Sequence, residues 1–170
     1  MTQAQEELQQ SFDAVVAALR ADQPDVAERI CRDHLAEQPE SVEHMRLLGH
    51  ALMQQRQVGD AESLFRKAFE MAPDSARLAE DLATALAEQR KFDEAIPLFQ
   101  QAAKQKPDAV GLHRKLGQAL AAVGRGDEAD KAFLTFFAND PDKGAVAAGA
   151  EQMREGNEKE AEECFRKALK

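Results

Sequence analysis

A period of 34 residues constrains this chain more than any other feature. Pro39, Pro73, Pro107 and Pro141 fall on it, and so do Ala27, Ala61, Ala95 and Ala129. Four residues after each of those alanines stand Cys31, Phe65, Phe99 and Phe133. A fifth copy, AEECFRKALK, begins at Ala161, a step of 32 rather than 34. Self-similarity at this spacing marks a repeat architecture, in which one unit cannot bury its apolar face alone and must stack on the next.

Each unit carries two helical patterns. Upstream of the Ala…Phe segment lie MRLLGHAL (45–52), AEDLATAL (79–86), HRKLGQAL (113–120) and AVAAGAEQ (145–152). Their apolar or small residues recur at i, i+3, i+4 and i+7, one stripe of an amphipathic helix. Short polar strings such as QVGD, QRKFD, VGRGD and REGN separate this first helix (A) from the second (B). Pro followed by Asp or Glu closes the unit, because Pro cannot continue a helix and an acid suits the next N-terminus. Gly49, Ala83, Gly117 and Gly149 on helix A, with Ala61, Ala95, Ala129 and Ala161 on helix B, let the two helices approach closely.

With these residues in register the chain resembles the tetratricopeptide repeat family. That unit has apolar residues at positions 4, 7 and 11, a small residue at 8, Ala at 20, an aromatic at 24, Ala at 27 and Pro at 32. Residues 42–75 match through Met45, Leu48, Gly49, Leu52, Ala61, Phe65, Ala68 and Pro73. Residues 76–109 match through Leu82, Ala83, Leu86, Ala95, Phe99, Ala102 and Pro107, and residues 110–143 through Leu116, Gly117, Leu120, Ala129, Phe133 and Pro141. In the latter, Phe136 replaces the usual Ala. Residues 8–41 form a weaker copy, with Ala14, Val15, Ala27, Cys31 and Pro39, and His34 where Ala is expected. Residues 142–170 form a shortened, incomplete copy. The resemblance implies an all-α fold, a right-handed solenoid of about five antiparallel helix pairs in a single array. The sequence stops at Lys170 inside a B helix, which leads us to expect a fragment of a longer protein. The competing expectation is that this last helix packs against another copy.

Composition removes several functions. A length of 170 residues suits one domain, and 44% hydrophobic with 31% charged residues suits a folded chain. The net charge of −9 argues against nucleic acid or an anionic membrane as main partner. Tyr and Trp are absent, so the usual surface aromatics for stacking bases or sugars are missing. No stretch approaches the roughly 20 apolar residues of a membrane span, and the N-terminus MTQAQEELQQ has no signal-peptide pattern. Cys31 and Cys164 lie far apart without a CxxC, so a reducing cytoplasm is the expected compartment.

Four strings imitate known motifs. Gly124, Gly126 and Ala129 spell GxGxxA, but a dinucleotide fingerprint needs a strand before it, and here a helix precedes. The overlapping Arg125-Gly126-Asp127 is explained by the same turn. Asp140, Asp142 and Glu151 take positions 1, 3 and 12 of a calcium loop, yet Ala145 stands where the sharp-turn Gly belongs and Gly144 is one early. Cys31 and His34 lie three apart, but nothing adjacent completes a zinc site, and both hold packing positions. No catalytic constellation is present, so no enzyme activity and no cofactor or metal is expected of this segment.

Function is then expected on helix A. Where positions 4, 7, 8 and 11 face the core, the stripe at about 2, 5, 9 and 12 or 13 lies opposite, and by resemblance to the family it lines a concave groove for a partner peptide or helix. The candidate groove residues are Arg46, His50 and Met53, then Arg77, Asp81 and Thr84, then Arg114, Lys115 and Gln118, and finally Arg154. With their stripe neighbours Glu43, Gln54, Glu80, Ala87, Glu88, Ala121, Lys143, Val146, Ala150 and Met153, they carry six basic and four acidic side chains, less acidic than the chain as a whole. A partly acidic or polar segment is therefore the expected ligand. Some family members clamp the C-terminal carboxylate of heat-shock chaperones; at the aligned positions Arg46, His50, Asp81, Gly111 and Lys115, the acidic Asp81 and the missing cation at Gly111 exclude that partner. The alternative is an N-terminal recognition or assembly arm of a larger transferase, by similarity to bacterial repeat proteins that carry a sulfotransferase or glycosyltransferase domain. A further expectation is self-association through the open C-terminal helix.

Overall fold

In a computed structural model the described residues are 3–139 together with 152, 154, 156, 157, 159 and 160. Among them are eight α-helices and no strand: α1 (Gln3–Arg20), α2 (Pro24–Glu37), α3 (Val42–Gln54), α4 (Val58–Met71), α5 (Ala76–Glu88), α6 (Phe92–Gln105), α7 (Val110–Ala122) and α8 (Gly126–Asn139). This is an all-α repeat array. The expected repeat at 142–170, with Lys143, Val146, Gly149, Ala150, Met153, Ala161 and Cys164, and the calcium-loop residues Asp140, Asp142, Gly144, Ala145 and Glu151, lie outside the described residues.

The chain divides into two compact units, Met1–Lys91 and Phe92–Lys170. In the first, each helix packs on the next in sequence, and α1 on α3 and α3 on α5 make the additional contacts of stacked hairpins. Met45, Ala68 and Leu78, from α3, α4 and α5, share one buried cluster, flanked by Leu35, Leu64 and Phe69. In the second unit α7 packs against both α6 and α8.

The small residues of helix A have a measurable purpose. A Cβ added to Gly49 would stand 2.5 Å from Phe65 Cε1, and one on Gly117 would stand 2.8 Å from Phe133 Cε1. Glycine at these positions lets the helix-B ring lie directly on the helix-A backbone. In the degenerate first copy Val15 stands at the position of Gly49 and Cys31 at that of Phe65; both are buried, and Ala14 is exposed.

Every described A helix ends the same way. Asp22, Arg56, Arg90 and Gly124 have positive φ, 55° to 77°, and recur every 34 residues. The following amide reaches back five residues to close the helix: Gln23 to Ala18, Gln57 to Leu52, Lys91 to Leu86 and Arg125 to Leu120, at 2.8–3.0 Å. These are Schellman-type caps, which return the chain abruptly into helix B. Helix B begins sooner than the polar strings predict: Asp60, Asp93 and Asp127 are in first turns rather than in the connection. An acid there complements the helix N-terminus, and the cap itself needs only the left-handed residue and one more.

A second periodic device ties neighbouring hairpins of the first unit. Gln55 Nε2 donates to Glu28 at 2.8 Å, and 34 residues later Gln89 Nε2 donates to Glu62 at 2.7 Å. Glu62 also accepts from Lys91 at 2.7 Å and Arg66 at 2.8 Å. The bonds from Arg66 and Lys91 hold its carboxyl down at about 2, against the desolvation that opposes ionisation.

Candidate interaction face

On α3 and α5 the exposed stripe is built around a half-buried charge cluster. Arg46 Nη2 and Nε donate to Glu43 Oε2 at 3.0 and 3.1 Å. Its Nη1 lies 3.7 Å from Asp81 Oδ2 across the helix pair. His50 Nε2 is 3.2 Å from the same Asp81 oxygen and 3.3 Å from Arg46 Nη1. His50 Nε2 accepts from Arg46 while it is unprotonated; towards Asp81 it makes an ion-pair approach without an aligned hydrogen bond. Asp81 Oδ2 is shut off from solvent, with ion-pair neighbours but no aligned hydrogen bond. The His50 ring stands edge-on to Phe65, centroids 5.3 Å apart, so the cluster rests on the core ring that Gly49 admits.

The structure thus brings Arg46, His50 and Asp81 together as one network, and Arg46 side-chain exposure is only 11%. Its charge is already engaged. Met53 is half-buried on the same helix, and Thr84 Oγ1 donates to the Glu80 carbonyl at 2.8 Å. Arg77, by contrast, is exposed and makes no ion pair among the described residues. In the second unit Arg114 and Gln118 are exposed on α7 and Lys115 is half-buried. Arg114 also has no ion pair among the described residues, whereas Arg154 donates to Asp130 at 3.0 Å.

Two neighbouring features lie outside the repeat pattern. An open cleft of about 440 Å³ adjoins the first-unit stripe, lined by Leu8, Phe12, Val42, Glu43, His44 and Arg77 among others. Behind it His44 is fully buried and stacks on His34 with centroids 3.7 Å apart. Ser41 Oγ meets its Nδ1 at 2.9 Å and Ser11 Oγ its Nε2 at 3.2 Å. Burial pushes the imidazole of His44 down to about 4; His34 adds to the shift and Glu43 opposes it. In the sequence only Ser41, three residues before His44, hinted at it; Ser11 arrives through the packing of α1 on α3.

The motif look-alikes meet structural explanations. Gly124 caps α7 and Gly126 starts α8, with a helix before them, not a strand. Arg125 forks onto Glu128, the residue after the Arg-Gly-Asp string, at 2.7 and 2.8 Å, so the arginine of that string is already engaged. Cys31 is buried and free, its thiol pushed up to about 12 by desolvation, and no cluster among the described residues is placed to hold a metal.

The sequence profile of the tetratricopeptide repeat matches residues 12–76 and 80–143, and a second profile of the same repeat matches 146–170. The chain belongs to the tetratricopeptide repeat family, whose arrays are protein-interaction scaffolds. Among solved structures it is similar to MamA at 24% identity, covering 90% of this chain and 91% of that one with a TM-score of 0.72. MamA AMB-1 is 25% identical over 94% of this chain and 95% of its own, with a TM-score of 0.71. MamA from Desulfovibrio magneticus RS-1, residues 41 to the end, is 19% identical over 95% and 92%, with a TM-score of 0.75. Curated protein sequences offer no significant match. No described helix is long and apolar enough to cross a membrane.

Proposed function

We propose that this array binds a polar-to-acidic peptide segment of a partner protein on the exposed stripes of its A helices. The observation that carries the reading is the pair Arg77 and Arg114, two exposed guanidinium groups without ion pairs among the described residues, in a chain of net charge −9. Exposed arginines without an ion pair among the described residues also include Arg20, Arg29, Arg56 and Arg90, so Arg77 and Arg114 stand apart by their place among the candidate stripe residues of α5 and α7, where Arg46 of α3 is by contrast engaged. Arg77 and Arg114 keep their forks open for a planar carboxylate or a backbone carbonyl. Arg46, His50 and Asp81 support the stripe from beneath, while Thr84, Lys115 and Gln118 extend it with polar contacts. The free, buried thiol of Cys31 supports placement in a reducing compartment such as the cytoplasm.

The test is selection of random displayed dodecapeptides on the immobilised full chain, followed by anisotropy titration of the selected peptides. Arg77→Glu and Arg114→Glu are expected to weaken binding, each by several-fold, with circular dichroism unchanged. Peptides that bind both variants as tightly as the parent chain overturn the reading.

A further inference from the structure

The cleft between α1 and α3 offers a specific chemistry. Leu8, 38% exposed, and the half-buried Phe12 and Val42 supply its apolar surface. Its volume of about 440 Å³ falls within the range of sites that seat small ligands or single large side chains. The polar groups around it are mostly spoken for. His44 has a serine hydroxyl on each ring nitrogen, and the Glu43 carboxylate holds the Arg46 guanidinium. Arg77 remains as the charged group at the cleft without an ion pair among the described residues.

We propose that this cleft is an anchor pocket for a bulky aliphatic side chain of a peptide that carries a carboxylate beside it in sequence. The apolar walls would be covered by the side chain, which gains from leaving water. The carboxylate would meet the open Arg77 guanidinium, while Glu43 is held by Arg46, which it shares with Asp81; a Lys or Arg placed against Arg77 is repelled. The proposal rests on the reading that the A-helix face binds a peptide, and adds which peptide and where its main anchor sits.

The test uses the same display selection on the full chain. The expected consensus is Leu, Ile or Met adjacent to Asp or Glu. Leu8→Ser and Arg77→Glu should each lower affinity for a fluorescein-labelled selected peptide about fivefold. Arg77→Lys should keep most of it, and replacing the peptide's aliphatic residue by Ser should remove the effect of Leu8→Ser. Leu8 is exposed, so its variant keeps the fold, which circular dichroism checks. If Arg114→Glu weakens binding while Leu8→Ser does not, the anchor pocket is wrong and the broader face stands. If neither matters, or no peptide is enriched, both fall. A basic or purely polar consensus overturns the assigned chemistry alone. Sedimentation velocity covers the remaining occupant: a dimer dissolved by Leu8→Ser would place a second copy in the cleft and overturn the peptide assignment.

Discussion

Acid should loosen the first hairpins through one side chain, His44. Its imidazole is fully buried, satisfied while neutral by Ser41 and Ser11, and stacked on His34. Folding lowers its proton affinity from the ordinary 6.5 to about 4. Each tenfold change in proton affinity is worth about 1.4 kcal/mol, so the full displacement is worth at most about 3 kcal/mol. The sign follows from proton counting. Between pH 6.5 and 4 the unfolded chain binds a proton at His44 that the folded chain refuses, so stability falls as pH falls across that window. Above it the contribution is complete, and below it no more is lost. Urea unfolding at several pH values, for the parent chain and His44→Gln, isolates the effect, because carboxylates titrate alike in both. The stability of the parent relative to the variant should shrink by roughly 2–3 kcal/mol from pH 7 to pH 4. A difference independent of pH would show that His44 protonates freely in the folded state and would refute the argument.

Two further substitutions probe the repeat itself. Gly49→Ala drives a Cβ to 2.5 Å from the Phe65 ring, whereas Gly111→Ala meets nothing within 4 Å. The exposed change should gain up to about 1 kcal/mol of helix propensity, and the buried one should be worse than it by about 1–3 kcal/mol in denaturant melts. Phe65→Leu in the Gly49→Ala background should recover part of that difference. Glu62→Gln removes a carboxylate that accepts from Arg66, Gln89 and Lys91 and titrates near 2. Since its folded affinity for protons is depressed, its stabilisation is present above pH 4.5 and lost between 4.5 and about 2. The variant should be less stable at neutral pH by about 1–3 kcal/mol and converge on the parent near pH 2 if both remain folded enough to measure.

The helical hairpins were legible in the sequence because packing must be identical in every unit. Pro39, Pro73 and Pro107 follow the ends of α2, α4 and α6, and Phe65 and Phe99 are buried as their register requires. The left-handed cap was half legible. Gly124 announces it and Asp22 is among the non-glycine residues that tolerate it, but Arg56 and Arg90 hide the same conformation behind a residue that rarely adopts it. The candidate face was less readable, since a stripe position predicts exposure and says nothing of lateral pairing. Arg46 resembles Arg77 and Arg114 in sequence, yet Asp81 and Glu43 have claimed it. The cleft at Leu8 depends on α1, the copy with the weakest match, where periodicity carries the least information. Glu28/Gln55 and Glu62/Gln89 were available all along at a spacing of 34, but polar residues on one helix reveal a bond to another only once the packing is known.

Those Glu–Gln ties have a consequence for how the chain comes apart. One period beyond Glu62 and Gln89 stand Ile96 and Val123 in the second unit, the former buried and the latter half-buried. The position that a carboxylate and an amide share in one unit is thus given to two hydrocarbon side chains in the other. Carboxylate bonds weaken with acid and hydrocarbon burial weakens with cooling. The two units should therefore answer to different solvents, with amides near Gln55 and Gln89 exchanging first at low pH and those near Val123 first in the cold. A protein built from one repeated plan would then have two separately adjustable ends.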